Sequence, residues 1–221
     1  KPVKIGTISA QILALMLTDE HYEDRHALLM DLSTALNREY HALADAGAPL
    51  IQIEEPAIHQ VIADPNQKIK PEKWVEAFNA EIKGLRDKCE VWCHTCWGSP
   101  AAQRVASKNQ SYKAALPYFD QLDIDVITVE GAFNNGMDLE HFGAMISKNK
   151  KIALGAISHR TLQVERPEEI AVIEANLASA KAQLSQAKIN LQRTQVRSPV
   201  NGRVTNLLLR PGDYATTGTV N

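Results

Sequence analysis

Along the first three-quarters of the chain, short apolar runs alternate with amphipathic stretches of helical period. "KPVKIGTIS" opens with alternation and predicts a strand; "DRHALLMDLSTALNREYHALADAG" then sets Leu28, Leu32, Leu36, Tyr40 and Leu43 on one helical stripe, with Gly47 placed to end it. "APLIQIEEPA" is a short apolar run stopped by two carboxylates and Pro56, the pattern of a buried strand whose C-terminal end carries polar groups. The alternation repeats. A helix is predicted over "PEKWVEAFNAEIKGL", with Trp74, Phe78 and Ile82 on one face, a strand over "CEVWCHTC" and a weaker helical stretch over "PAAQRVASKNQSYKAALPYF". A strand "IDVITVEG", a helix "LEHFGAMISKN" and a strand "KIALGAIS" follow. Five buried strands separated by helices predict a parallel α/β sheet.

After "RPEEIA" the pattern changes. Ile173, Leu177, Ala180, Leu184, Ala187 and Leu191 are spaced alternately by four and three, a heptad seam with small residues opposite leucines. Such a seam suits a helical hairpin, and equally one amphipathic helix packed on the preceding domain. "VRSPVNGRVTNLLLRPGDYATTGTVN" then offers short β runs punctuated by turn signals.

With 221 residues the chain is long enough for one large domain or two smaller ones. A net charge of -2 and an apolar fraction of 44% supply neither a basic field for nucleic acid nor an acidic tail. No apolar run approaches the roughly eighteen residues of a membrane span, and the amphipathic N-terminal stretch lacks a credible cleavage site. Neither a membrane span nor an export signal is expected. Cys89, Cys93 and Cys96 form an odd local cluster, unlike a framework of distant disulfides, which favours a reducing compartment.

The candidate chemistry sits at strand ends. Glu54 and Glu55, then Cys93, His94 and Cys96, then Glu130, then Ser158 and His159 each come at the C-terminal end of a predicted strand. In a parallel barrel those ends converge on one face, although turns and helix caps also place polar residues there. "VWCHTCWGSP" admits three readings. As Cys-x-x-Cys after a Trp it looks like a redox dithiol. As His-x-Cys, side chains two apart on a strand share a face, so His94 and Cys96 could bind one ion while Cys93 points away. Glu130 on the next strand would then add a carboxylate, and zinc accepts all three donor types. Alternatively the thiols are small buried hydrophobes.

The order "PVKIGTIS", "DAGAPLIQIEEPAI", "CHTCWGSP", "DVITVEG", "IALGAIS" resembles the catalytic barrel of cobalamin-independent methionine synthase over residues 1–171. "IQIEEPA" is the most specific piece, and "HTC" followed by the Glu of "ITVEG" matches that family's zinc ligands. The resemblance implies a partial (β/α) TIM barrel of about five parallel strands, with zinc held by His94, Cys96 and Glu130. It also implies that Glu54, where the family more usually has Asp, binds the amino group of homocysteine, and that His159 assists proton transfer, although "SHRT" departs from the pattern. The implied activity is methyl transfer to the homocysteine thiol from a methyl-folate or another donor, in the cytoplasm. A family member would have two strands before Lys1 and, after residue 171, a last strand bringing a second zinc cysteine. No cysteine follows Cys96 here, so three of four ligands are expected unless Cys93 turns inward or a water or partner chain contributes.

"LSQAKINLQRTQVRSPVNGRVTNLLLRPGDYATTGT" resembles secretion membrane fusion proteins, the periplasmic adaptors of the haemolysin-secretion type. That resemblance implies a coiled-coil-type helix over 172–195 and a small β-rich lipoyl-like half-domain over 196–221, belonging to the cell envelope and serving assembly. The chain is thus expected to be a fusion of two parts. Open sheet edges and residues 172–195 offer routes to self-association. The alternatives to methyl transfer are a non-catalytic assembly segment and a redox dithiol.

Overall fold

Strands β1 (Lys4–Ile8), β2 (Leu50–Glu54), β3 (Glu90–Thr95), β4 (Val126–Glu130) and β5 (Lys151–Gly155) form one parallel sheet in chain order. This computed structural model describes residues 3–56, 58–63, 70–96, 111–132, 136, 138–158, 164 and 166–194. Each strand pairs with the one before it, the singly wound order from which parallel barrels are built. All five strands lie where the apolar runs predict them.

The connections are helical: α1 (Ala10–Met16) and α2 (Arg25–Asp45) follow β1, and α3 (Ile58–Ala63) and α4 (Pro71–Glu81) follow β2. A 3-10 turn (Leu85–Asp87) leads into β3, α5 (Leu116–Phe119) precedes β4, α6 (Leu139–Met145) precedes β5, and α7 (Pro167–Arg193) closes the series. Local chemistry sets the boundaries. The Ser9 hydroxyl accepts the Ile12 N–H at 3.1 Å to start α1, and Asp24 accepts the His26 N–H at 2.9 Å to start α2. Gly47, at φ +97°, turns the chain out of α2 at an angle that a side chain would resist. Pro71 begins α4, where its missing N–H costs nothing. Helix α1 lies in the amphipathic N-terminal stretch, whose pattern does not delimit a helix, and α3 is too short to establish a period.

The two faces of the sheet differ. Ile51, Ile53, Val91, Cys93, Ile127 and Val129 point into a core that includes Tyr40 of α2, Trp74 and Phe78 of α4, Phe119 of α5 and Phe142 of α6. Trp74, Phe78 and Ile82 are buried together, as their spacing predicts. Burial of each such large side chain stabilises by roughly 1.5–3 kcal/mol. Strand alternation places Lys4, Gln52, Glu54, Trp92, His94, Thr128 and Glu130 on the opposite face.

The N-terminal ends of the strands are tied by charge. Asp125 accepts the Val91 N–H at 2.9 Å and Arg86 Nη2 at 2.8 Å, and Arg86 Nη1 reaches Asp123 at 2.5 Å. Strands β1 and β5, at the edges, are less buried than the three between them.

The chain divides into two compact units, Lys1–Leu184 and Ser185–Asn221. In the first, α7 buries Ile173 and exposes Val172; in the second, its last turns expose Ile189 and Leu191. Of the segment expected as a coiled-coil-type helix over 172–195, residues through Arg193 are helical as part of α7, which starts earlier, at Pro167. The lipoyl-like segment 196–221 lies outside the described residues, as do 100–110 of the expected weak helix, and of its described residues only Leu116–Phe119 are helical, a shorter helix than the sequence pattern predicts. Among the described residues no helix is long and apolar enough to cross a membrane.

Candidate functional site

The site is built from the last residues of β2, β3 and β4. Register sets Glu54 beside His94 and His94 beside Thr128, while Thr95 sits beside Val129, one step before Cys96 and Glu130. Two backbone bonds prolong the pairing of β2 and β3 beyond the strands, Glu55 N–H to the His94 carbonyl at 2.8 Å and Cys96 N–H to the Pro56 carbonyl at 3.3 Å. Pro56 has no N–H to offer, yet its carbonyl fixes the backbone at Cys96.

On the polar face, Glu54 Oε2 stands 3.7 Å from His94 Nε2, and Glu54 Oε1 accepts the Gln52 side-chain amide at 2.6 Å. Gln52 in turn accepts from Lys4 Nζ at 3.0 Å and from the Thr128 hydroxyl at 3.4 Å. Lys4 also lies 5.2 Å from the centre of the Trp92 ring, within cation–π range. Glu130 ends β4 at the same level, is nearly buried, and has the side-chain-free Gly155 as its register partner on β5. A Cβ there would press to 3.3 Å from the Val129 carbonyl oxygen and 3.8 Å from Glu130 Cα.

A second group braces the strand ends. His59 of α3 is buried, with Nδ1 3.1 Å from the Thr95 hydroxyl and its ring edge-on to Tyr112 at 4.9 Å between centroids. The Tyr112 hydroxyl accepts the Glu130 N–H at 3.3 Å, and the Tyr112 N–H donates to Asp138 at 2.7 Å. Burial drives the His59 pKa down to about 3, so the ring is neutral at physiological pH.

Glu55 turns away from its neighbour Glu54. It is buried on the helix side, where Trp74 Nε1 donates to Oε1 at 3.0 Å. Glu81 of α4 lies in the same layer and accepts from the Tyr40 hydroxyl at 2.7 Å and from the Ala10 N–H at 3.2 Å. Burial raises Glu55 to about 8 and Glu81 to about 7, against the lowering pull of the Trp74 and Tyr40 hydrogen bonds.

The opening motif divides accordingly. Cys93 lies in the apolar core on the helix side, pointing away from the His94 face. All three cysteines are thiols, and burial together with the Glu55 and Glu81 charges holds Cys93 well above the usual thiol range. That is the reverse of what a reactive dithiol requires. Cys96 is nearly buried just past β3. Among the described residues no three His, Cys, Asp or Glu side chains are gathered into a metal site. Thus Glu54 and His94 are brought into contact, Cys96 and Glu130 lie at neighbouring strand ends, and Ser158 follows β5. His159 lies outside the described residues.

Residues 11–190 match the family described as the catalytic domain of cobalamin-independent synthase. The chain belongs to this family. Methionine synthase from Sulfurisphaera tokodaii is 31% identical over 169 residues, which cover 76% of this chain and 43% of that protein. Methionine synthase from Saccharolobus solfataricus is 30% identical over 173 residues, covering 76% of this chain and 45% of that protein. The chain therefore spans less than half the length of these curated relatives. A B12-independent methionine synthase from Shewanella sp. W3-18-1, solved in complex with selenomethionine, superposes with a TM-score of 0.68 at 26% identity, covering 81% of this chain and 51% of that one. A structure from Listeria monocytogenes, at 20% identity and a TM-score of 0.61, shares the fold. The expected partial barrel of this family thus matches both sequence and structure.

Sequence reasoning passed over Gln52, Lys4, Thr128, His59 and Glu81. For Gln52 and Thr128 the signal was alternation: each stands two residues before a carboxylate on its own strand. His59 and Glu81 lie on helices whose patterns gave no sign that a polar residue would be buried.

Proposed function

We propose that this chain contributes to methyl transfer onto the thiol of homocysteine, with zinc as its metal and a methyl-folate or another methyl donor as second substrate. The supporting observation is the shared face of Glu54, His94 and Glu130 at adjacent strand ends of a barrel of this family, with Cys96 next to them in the chain. The Shewanella relative, which holds selenomethionine, supports a ligand of the thioether amino acid type.

His94, Cys96 and Glu130 fit zinc in kind: an imidazole, a thiol that becomes a thiolate, and a carboxylate. They number three and are not gathered as a preformed cage, so they would close around the ion on binding. Bound zinc supplies acidity toward a thiol and a fixed point for its sulfur. In this reading Glu54 takes the substrate amine, His59 and Tyr112 hold the ends of β3 and β4 in place, and His159 serves proton transfer. The barrel part works in the reducing cytoplasm. Elemental analysis of the reduced protein tests the proposal: about one zinc per chain is expected, lost in Cys96→Ser and Glu130→Ala. Zinc content unchanged in both variants would overturn it.

We also propose an assembly role for residues 172–221, as an adaptor-like tail with a coiled-coil-type helix over 172–195 and a lipoyl-like half-domain over 196–221. Exposed Ile189 and Leu191 on α7 are apolar residues that such packing would use, while 196–221 lies outside the described residues and the family match reaches residue 190. Light scattering of the wild type and of Leu184→Glu checks it: a smaller species in the variant is expected, and identical masses would remove the support.

A further inference from the structure

We infer that Gln52 is the positioning residue for Glu54, fixing which carboxylate oxygen is left for a ligand; the inference rests on the reading of Glu54 as an amine-binding group. A lysine ammonium can only donate hydrogen bonds, so the Gln52 group 3.0 Å from Lys4 Nζ is the amide oxygen. The Thr128 hydroxyl, 3.4 Å from that oxygen, donates to it as well. The amide nitrogen must then point the other way, toward Glu54 Oε1 at 2.6 Å, a short charge-assisted contact. Gln52 is 7% exposed, so water competes poorly for either end.

The consequence is a division of labour within one carboxylate. Oε1 is occupied by Gln52 and leans over Gly6, where an added Cβ would stand 3.6 Å away. Oε2 faces His94 at 3.7 Å and is directed to the side of the face where Cys96 and Glu130 lie. Gln52 touches no substrate in this arrangement. It acts through Glu54, with Lys4 and Thr128 anchoring it from β1 and β4.

Two measurements on the full chain test this. In the first, L-homocysteine and its des-amino analogue 4-mercaptobutanoate are titrated against wild type, Gln52→Leu and Gln52→Glu in the presence of zinc. Gln52→Leu should weaken L-homocysteine roughly tenfold or more and leave the analogue unchanged, with Gln52→Glu worse because its carboxylate repels Glu54. Equal loss for both ligands would show a merely structural residue, and no loss for either would overturn the inference. In the second, hydrogen exchange of the Gln52 side-chain amide is followed by NMR without ligand. Exchange should quicken in Glu54→Ala and, less strongly, in Lys4→Met; unchanged exchange in both would sink the relay. A wild type that fails to distinguish the two ligands would refute the amine-binding reading of Glu54, while the exchange result would still decide on Gln52.

Discussion

Trp74 donates its indole N–H to the Glu55 carboxyl at 3.0 Å, and both side chains are withdrawn from solvent, at 1% and 0% exposure. This bond joins α4 to the residue that follows Glu54, so the C-terminal end of β2 is held from the helix side as well as from β3. Trp74→Phe removes the indole donor and part of the buried ring volume, leaving the Glu55 carboxyl its Ser9 contact, at an expected cost of about 1–3 kcal/mol in denaturant unfolding.

The same layer makes stability depend on pH from both sides. Glu55 and Glu81, raised to about 8 and about 7 by burial, bind protons more tightly folded than unfolded. Their contribution is full below the ordinary carboxyl pKa and is lost as pH rises through the folded values. His59, lowered to about 3, works in the opposite sense: its contribution is full above the ordinary imidazole pKa and is lost as pH falls. Cys93 and Tyr40, in the same core, are raised and act only in alkali. Thermal melts should therefore peak in mildly acid solution. Glu55→Gln should flatten the alkaline limb and His59→Phe the acid limb; limbs unchanged in both would refute this account.

Cys93 should be the slowest of the three cysteines to alkylate, because its thiol is buried and held in the protonated form. Cys93→Ala should cost about 1–2 kcal/mol, and Cys93→Ser more, since a hydroxyl would be desolvated in its place. Mass-resolved alkylation in native buffer, with unfolding curves for the two variants, measures both.

At the opposite end of the sheet, Asp125→Ala should destabilise more than Arg86→Ala. The aspartate accepts the Val91 N–H in addition to its ion pair, whereas Arg86 is about a third exposed and its pairs are screened by solvent. About 2 kcal/mol against less than 1 kcal/mol is expected from denaturant unfolding, and added salt should shrink most of the arginine effect but only the ion-pair part of the aspartate effect, leaving the Val91 bond.

Gly131 follows Glu130 directly, and a Cβ there would come within 2.3 Å of Leu154 Cδ1 and 2.9 Å of its Cγ. Gly131→Ala should push Leu154 aside and shift the end of β4. Its signature would be weakened zinc binding together with a loss of about 1–3 kcal/mol in stability; full zinc affinity would show that β4 absorbs the change.

The strands were legible because each is a short apolar run bounded by polar or turn residues, and the long helix α2 because its stripe persists over several turns. His94, Cys96, Glu54 and Glu130 could be singled out since strand ends in such folds carry chemistry. Glu55 could not be separated from Glu54 by composition. Only the end of β2 decides that one carboxyl faces His94 and the next faces Trp74. His59 and Glu81 escaped for another reason: their burial depends on partners distant in sequence, Thr95 and Tyr40, which no local pattern reveals.

Because each strand is laid beside its predecessor, Lys4 against Leu50 and Val126 against Lys151, no strand must wait for a later one to reach its place. Such an order suits growth from the N-terminus during synthesis, each new strand finding a finished edge to dock on. The Gln52–Glu54 pair would then be assembled when β2 docks on β1, before His94 emerges to meet it.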